Sequence, residues 1–98
     1  MTWKVVFTGR ARKQKEKLPE QWQDVLDALR RDIEVNGPVA TSWPNYGKIK
    51  GKVGYHHCHL NKGKPRYVAV WEIADNKIQV VEIRYAGTHE KADYGKIR

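Results

Sequence analysis

VGYHHCHLNKGKPRYVAVWEIADNKIQVVEIRY, residues 53–85, is the stretch whose reading decides the fold. It divides into three runs rich in β-branched and aromatic residues, 53–60, 66–73 and 77–85. The turn signals Asn61-Lys62-Gly63-Lys64 and Asp75-Asn76 separate them. Links this short join antiparallel neighbours, so the runs predict a three-stranded meander.

Side chains alternate along a strand, which sorts these runs into faces. In the first run Cys58 and Leu60 are the natural core pair. Tyr55, His57 and His59 therefore point away from the core, and His56 falls on the core side near the frayed start of the strand. In the second run Tyr67, Ala69, Trp71 and Ile73 form the more apolar row and face the core, while Arg66, Val68, Val70 and Glu72 face outward. The third run carries apolar residues in both rows, with Glu82 and Arg84 marking its solvent side. The open face is thus expected to present His57, His59, Arg66, Glu72 and Arg84, with His57 and His59 side by side.

Upstream, Trp3, Val5, Val6 and Phe7 read as a short N-terminal strand, and Thr8 as the N-cap of a short helix over residues 9–17. That segment has few apolar residues, so most of its charge is expected in solvent. Pro19 suits the first turn of a second helix, in which Trp22, Val25, Leu26, Leu29 and Ile33 recur at spacings of three and four. Asn36-Gly37-Pro38 supplies its stop. Residues 39–52 read as a loop or a poorly formed edge strand punctuated by Lys48, Lys50 and Lys52. Residues 86–98 read as a loop with a short final helix. The order strand, helix, helix, strand, strand, strand predicts an α+β domain spanning residues 1–98, with two N-terminal helices packed on one face of a small, mostly antiparallel twisted sheet and the other face free.

The chain has 98 residues, 40% of them hydrophobic and four of them Trp, enough for one modest core. Nineteen Lys and Arg against eleven Asp and Glu give a formal charge of +8, which favours a polyanionic partner, nucleic acid or acidic protein. The single Cys58 excludes an internal disulfide and suits a reducing cytosol. The start is too polar for a signal peptide, and no run has the length of apolar residues a membrane span needs, so a cytoplasmic protein without a membrane partner is expected.

The order of parts resembles the RelE/ParE superfamily of toxins, and its RelE and HigB branch most. The resemblance runs over nearly the whole chain: KLP before the second helix, the meander, YVAVWEI followed by Asp75-Asn76 and IQVVEI, then Gly87-Thr88-His89-Glu90 and a closing Tyr94. It implies the RelE-like fold, a cognate antitoxin as protein partner, and cleavage of messenger RNA on the ribosome. It also implies roles. His57 and His59 stand where the family commonly has lysines, His89 matches a basic position in its last loop, and Tyr94 matches a tyrosine that stacks on a substrate base. Where relatives often have an arginine early in the second meander strand, this chain has Val68, with Arg66 two residues before it on the same face.

Metal-free RNA cleavage needs a base for the 2′-hydroxyl proton, cations for the developing phosphorane charge, and an acid for the 5′-oxygen. Histidine fills the first and last roles near neutral pH. His57 or His59 as base and His89 as acid form such a set, with Lys48, Lys50, Arg66 or Arg84 at the phosphate, Tyr94 stacking on a base, and no cofactor. Rival readings are a ParE-like poison of DNA gyrase, which needs no acid–base set, and a non-catalytic RNA-binding domain. The basic run Arg10, Arg12, Lys13, Lys15, Lys17 reads either as a solvated helix face or as a contact for ribosomal RNA. A zinc site on His57 and His59 needs a third ligand, for which His89 is the candidate. The run from His89 to Asp93 lacks the second histidine of HExxH, and Cys58, on the core face, is no nucleophile.

Overall fold

The computed structural model describes residues 2–77, 79–93 and 97. Along the chain run β1 (Lys4–Phe7), α1 (Gly9–Glu16), α2 (Glu20–Asn36), β2 (Gly47–Lys48), β3 (Tyr55–His59), β4 (Tyr67–Asp75), β5 (Val80–Thr88) and a 3-10 turn (His89–Lys91). The strands form one sheet in the order β1-β5-β4-β3-β2. The meander of β3, β4 and β5 is antiparallel as expected, and β1 joins its far edge parallel to β5.

The helix ends follow from local chemistry. Thr8 caps α1, its Oγ1 accepting from the Ala11 amide at 3.1 Å, a contact worth about 1 kcal/mol. Pro19 occupies the N-cap of α2 rather than its first turn, and Gly37, at φ +92°, ends that helix by donating its amide to the Ile33 carbonyl. A side chain at Gly37 would also meet the Trp3 indole, with Nε1 only 3.2 Å from the Cβ position. Of the predicted α2 stripe, Leu26, Leu29 and Ile33 are fully buried, while Trp22 and Val25 pack at the margin. Each such burial contributes roughly 1.5–3 kcal/mol. By contrast α1 buries only Ala11. It is held by Gln14, whose Oε1 accepts from the Ala86 amide of β5, and by the Lys15–Asp27 ion pair to α2.

Both helices lie on one face of the sheet, over Cys58, Leu60, Ala69, Trp71, Val81, Ile83 and Ala86. At the centre of this core, Trp71 is wholly buried and donates Nε1 to the Pro38 carbonyl at 3.0 Å. His56 lies nearly parallel to it, 7° between planes, with the Tyr46 ring against both. The Tyr46 hydroxyl and His56 Nδ1 are 2.7 Å apart. Burial raises the tyrosine pKa and lowers that of the histidine, so the hydroxyl donates to a neutral imidazole. His56 is on the core side as its parity requires, but at 2% exposure it is an interior residue and not part of a frayed strand start.

Three expectations are corrected. The last strand does not end at residue 85: Ala86, Gly87 and Thr88 continue β5, and only then does the 3-10 turn begin. The parity ambiguity of β5 is resolved by a β-bulge, because Val70 pairs with Tyr85 but Trp71 pairs with Ile83. Arg84 is the extra residue, which lets Ile83 and Ala86 both face the helices although three positions separate them. Finally, the second face of the sheet is not free along its length. Val68, Val70 and Tyr85 are buried there beneath Ile97, with Tyr55, Ile49 and Ala92 around them. Ile97 is tied down through its carbonyl, which accepts from Lys52 Nζ at 2.9 Å.

A pH dependence of stability follows from the neutral His56. Its folded-state pKa lies below the ordinary 6.5, first through burial and then through the charges of Lys48 and His57. The unfolded chain therefore binds more protons as pH falls below 6.5, and the stability that neutral His56 contributes, complete above that pH, drains away in acid. Thermal unfolding between about pH 8 and about pH 5 is expected to show a falling midpoint, and His56→Phe a shallower fall from a lower start. An unchanged slope in the variant would contradict the buried neutral imidazole.

Candidate functional site

The pleat of β3 sends His57 and His59 to the face opposite the helices, beside Val70 and Val68 of β4. The two differ in surroundings. His57 is half-buried at the β2 edge, where its Nδ1 lies 2.9 Å from the Gly47 carbonyl. A carbonyl can only accept, so the neutral ring carries its proton on Nδ1 and its lone pair on Nε2. Gly47 makes this possible, since a Cβ there would stand 3.2 Å from His57 Cε1. His59, expected beside His57 in solvent, is 7% exposed. Its backbone amide donates to the Pro44 carbonyl at 2.8 Å.

What lies against His59 is His89, edge to face, with ring centroids 5.5 Å apart and planes at 77°. Thirty residues of sequence separate them, and the sheet joins them. β4 begins one residue after Arg66, β5 ends one residue before His89, and the His89 amide donates to the Arg66 carbonyl at 2.7 Å. This bond fixes the exposed His89 next to the exposed Arg66 at the open end of the sheet. A cavity of about 220 Å³ opens there, lined by Lys64, Pro65, Arg66, Thr88, His89 and Glu90. Burial, followed by the charges of Arg66, His89 and His57, lowers the pKa of His59. Near neutral pH His59 is accordingly an uncharged imidazole able to accept a proton, set among cationic groups able to meet an anion.

The structure thus brings together His57, His59, His89 and Arg66 among the residues singled out in the sequence. It separates the others from them. Lys48 stands opposite His56 in the register and so leans to the helix side of the β2 edge, exposed. Lys50 is exposed in the turn that follows. Arg84, at the bulge, is held by two carboxylates, Glu72 and Glu82, each at 2.8 Å. Those pairs already neutralise its guanidinium. Tyr94 lies outside the described residues. Among the described residues, no three His, Cys, Asp or Glu side chains are placed to hold a metal ion. Cys58 is buried, its thiol pushed up to about 12 by desolvation, and has no nucleophilic character.

Parity alone did not reveal the contributions of Gly47, Lys64 and Thr88. The signal for Gly47 was weak: a glycine in a loop before a histidine-bearing strand. At Gly87 the structure leaves no room for a side chain: a Cβ there would fall 2.7 Å from the Tyr85 hydroxyl, which donates to the Thr88 carbonyl at 2.9 Å.

No family model and no curated protein sequence matches the chain. Solved structures do. The toxin RelE of E. coli, as a mutant in the free state, has a TM-score of 0.77 at 17% identity, over 99% of this chain and 95% of that one. The archaeal RelE of Pyrococcus horikoshii, in complex with RelB, has a TM-score of 0.70 at 17% identity, over 94% and 100%. The YoeB dimer from Staphylococcus aureus gives 0.69 at 17%, over 91% and 99%. The chain has the RelE-like fold that its order of parts resembles.

The electrostatics of His59 are testable directly. Its ring protons are expected to titrate with a midpoint below 6.5 by NMR. Arg66→Ala removes a positive charge that disfavours the imidazolium and should move that midpoint upward. A midpoint that stays put would mean the guanidinium does not act on His59.

Proposed function

We propose that the chain is the toxin of a toxin–antitoxin pair, and that it is a metal-independent endoribonuclease cutting messenger RNA on the ribosome and so arresting translation in the cytoplasm. The observation that carries this reading is the contact of a buried, neutral His59 with an exposed His89 beside Arg66, next to the open cavity that His89 and Arg66 line at the sheet end. One uncharged imidazole and one solvent-facing imidazole, with an exposed guanidinium beside them, are the parts that 2′-hydroxyl attack on a phosphodiester calls for. The net charge of +8 suits the polyanion.

In this reading His59, with its depressed pKa, takes the 2′-hydroxyl proton. His57, whose lone pair sits on Nε2, lies next to it on the same face and can share that role. Arg66 and Lys64 meet the phosphate as charge builds on its oxygens, and His89 delivers a proton to the departing 5′-oxygen. Tyr94 is assigned the stacking role by resemblance alone. The protein partner is a cognate antitoxin, as the RelE of Pyrococcus horikoshii is found with RelB. A gyrase poison would have no use for an acid–base pair, and Arg84, already matched by Glu72 and Glu82, is not needed at the phosphate.

Cleavage assays on free RNA and on translating ribosomes test the proposal. His89→Gln is expected to keep the fold, because the side chain is exposed, and to lower cleavage by on the order of a hundredfold or more. Arg66→Ala should flatten the salt dependence of RNA affinity by about 0.7 in the logarithmic slope, one phosphate contact's share. Growth arrest undiminished in the triple variant His57→Ala, His59→Ala, His89→Ala, with transcripts intact, would defeat the nuclease reading in favour of a protein target.

A further inference from the structure

Thr88 closes β5 opposite Tyr67 of β4 and so turns its side chain to the helix side of the sheet. Its Oγ1 is buried without a hydrogen-bond partner among the described residues. Leaving a hydroxyl in that condition costs free energy, and nothing in the packing requires it, since a valine has the same shape. An orphaned donor of this kind marks a place where a ligand supplies the missing partner.

The position of Thr88 indicates what ligand that is. Its side chain is part of the wall between two openings. One is the cavity of His89, Arg66 and Lys64. The other, about 460 Å³, lies round the end of the sheet under the C-terminal turn of α1 and is lined by Tyr67, Tyr85, Leu18, Gln14, Lys17 and Lys91 among others. That volume falls in the range of small-molecule sites, roughly 300–1,000 Å³. Its sides are two tyrosines and an aliphatic residue, its rim carries the exposed ammonium groups of Lys17 and Lys91, and no carboxylate lines it. Flat apolar walls, a cationic rim and one buried polar atom suit a planar heterocycle carried on a phosphodiester chain.

The geometry points to this second cavity as a nucleobase subsite, in which Thr88 reads the base of a ribonucleotide adjoining the phosphate held by Arg66 and His89. The inference rests on the nuclease reading, since it takes the first cavity as the phosphate site. A strand crossing the end of the sheet passes from one cavity to the other over Thr88. Lys17 and Lys91 then hold its backbone while the base edge satisfies Oγ1. Thr88 is here a residue of base preference and takes no part in proton transfer.

The test uses RNA hexamers fully 2′-O-methylated so that they cannot be cut, identical except for one central position carrying A, C, G, U or no base, with affinity read by fluorescence anisotropy. Wild type is expected to discriminate among the bases, the best binding about tenfold more tightly than the abasic hexamer, the scale of one hydrogen bond and its desolvation. In Thr88→Val the best base should fall toward the abasic value while abasic affinity stays unchanged, and Thr88→Ser, which keeps the hydroxyl, should restore the discrimination. Thr88→Val should unfold no earlier than wild type, because it removes a buried unpaired hydroxyl. Discrimination that survives in Thr88→Val, or equal weakening on every hexamer including the abasic one, overturns the subsite. In that event binding by wild type, with cleavage of unmodified RNA that His89→Gln loses, leaves the nuclease reading standing. Hexamers that wild type does not bind at all overturn the subsite, and the nuclease reading falls with it only if transcripts on translating ribosomes also stay intact.

Discussion

Neighbouring side chains on a strand cannot share a face, and the rest of this molecule is arranged around what that constraint does to β3. Cys58 and Leu60 go under the helices with the Trp71 row of β4, and His57 and His59 must then stand on the opposite side. His56 is taken inward by the same rule. It is accommodated by a stack with Trp71 and a hydroxyl from Tyr46, so that one histidine of the run belongs to the core and the next to the opposite face. A slip of one residue in the pairing of β3 with β4 would exchange these roles along the whole strand. The site is therefore specified by the core that lies behind it.

Much of this was legible because it is local. Thr8 as a cap, Gly37 as a stop, the α2 stripe and the alternation of β3 and β4 all depend on residues within a few positions of one another, where propensity and periodicity act. What escaped was made by pairing at a distance. The Arg84 bulge exists because β4 and β5 match only with an extra residue, and no feature of IQVVEIRY alone declares it. The burial of His59 comes from His89, thirty positions on, and from the loop that supplies the Pro44 carbonyl. The second face was expected to be open because the order of elements puts both helices on the other face. Ile97 covers part of it, tied there by Lys52, which lies 45 positions earlier in the chain.

The placement of charge follows a division of labour. Arg84 sits between Glu72 and Glu82, and Lys15 and Arg30 reach Asp27 and Glu34, all partly exposed pairs contributing on the order of 0–1 kcal/mol each. At the open end of the sheet the pattern differs. Arg66 and His89, with Lys64 on the same cavity wall, lie beside His59, whose pKa is lowered first by burial and then by the charges of Arg66, His89 and His57. Such a cluster disfavours the folded state in acid and is relieved by an anion, a combination more often met at sites of function than in structural ion pairs.

The central claim is that this end of the sheet activates a 2′-hydroxyl, and the chemical identity of the cut ends tests it most directly. RNA treated with the protein in the presence of a chelator is predicted to yield 5′-hydroxyl and 2′,3′-cyclic phosphate termini, and a single 2′-deoxy substitution at the nucleotide before the cut is predicted to block that cut alone. Ends bearing 5′-phosphate and 3′-hydroxyl, or cleavage that proceeds through the deoxy position, would mean that water and not the 2′-hydroxyl attacks, and would contradict the assignment of His59 and His89.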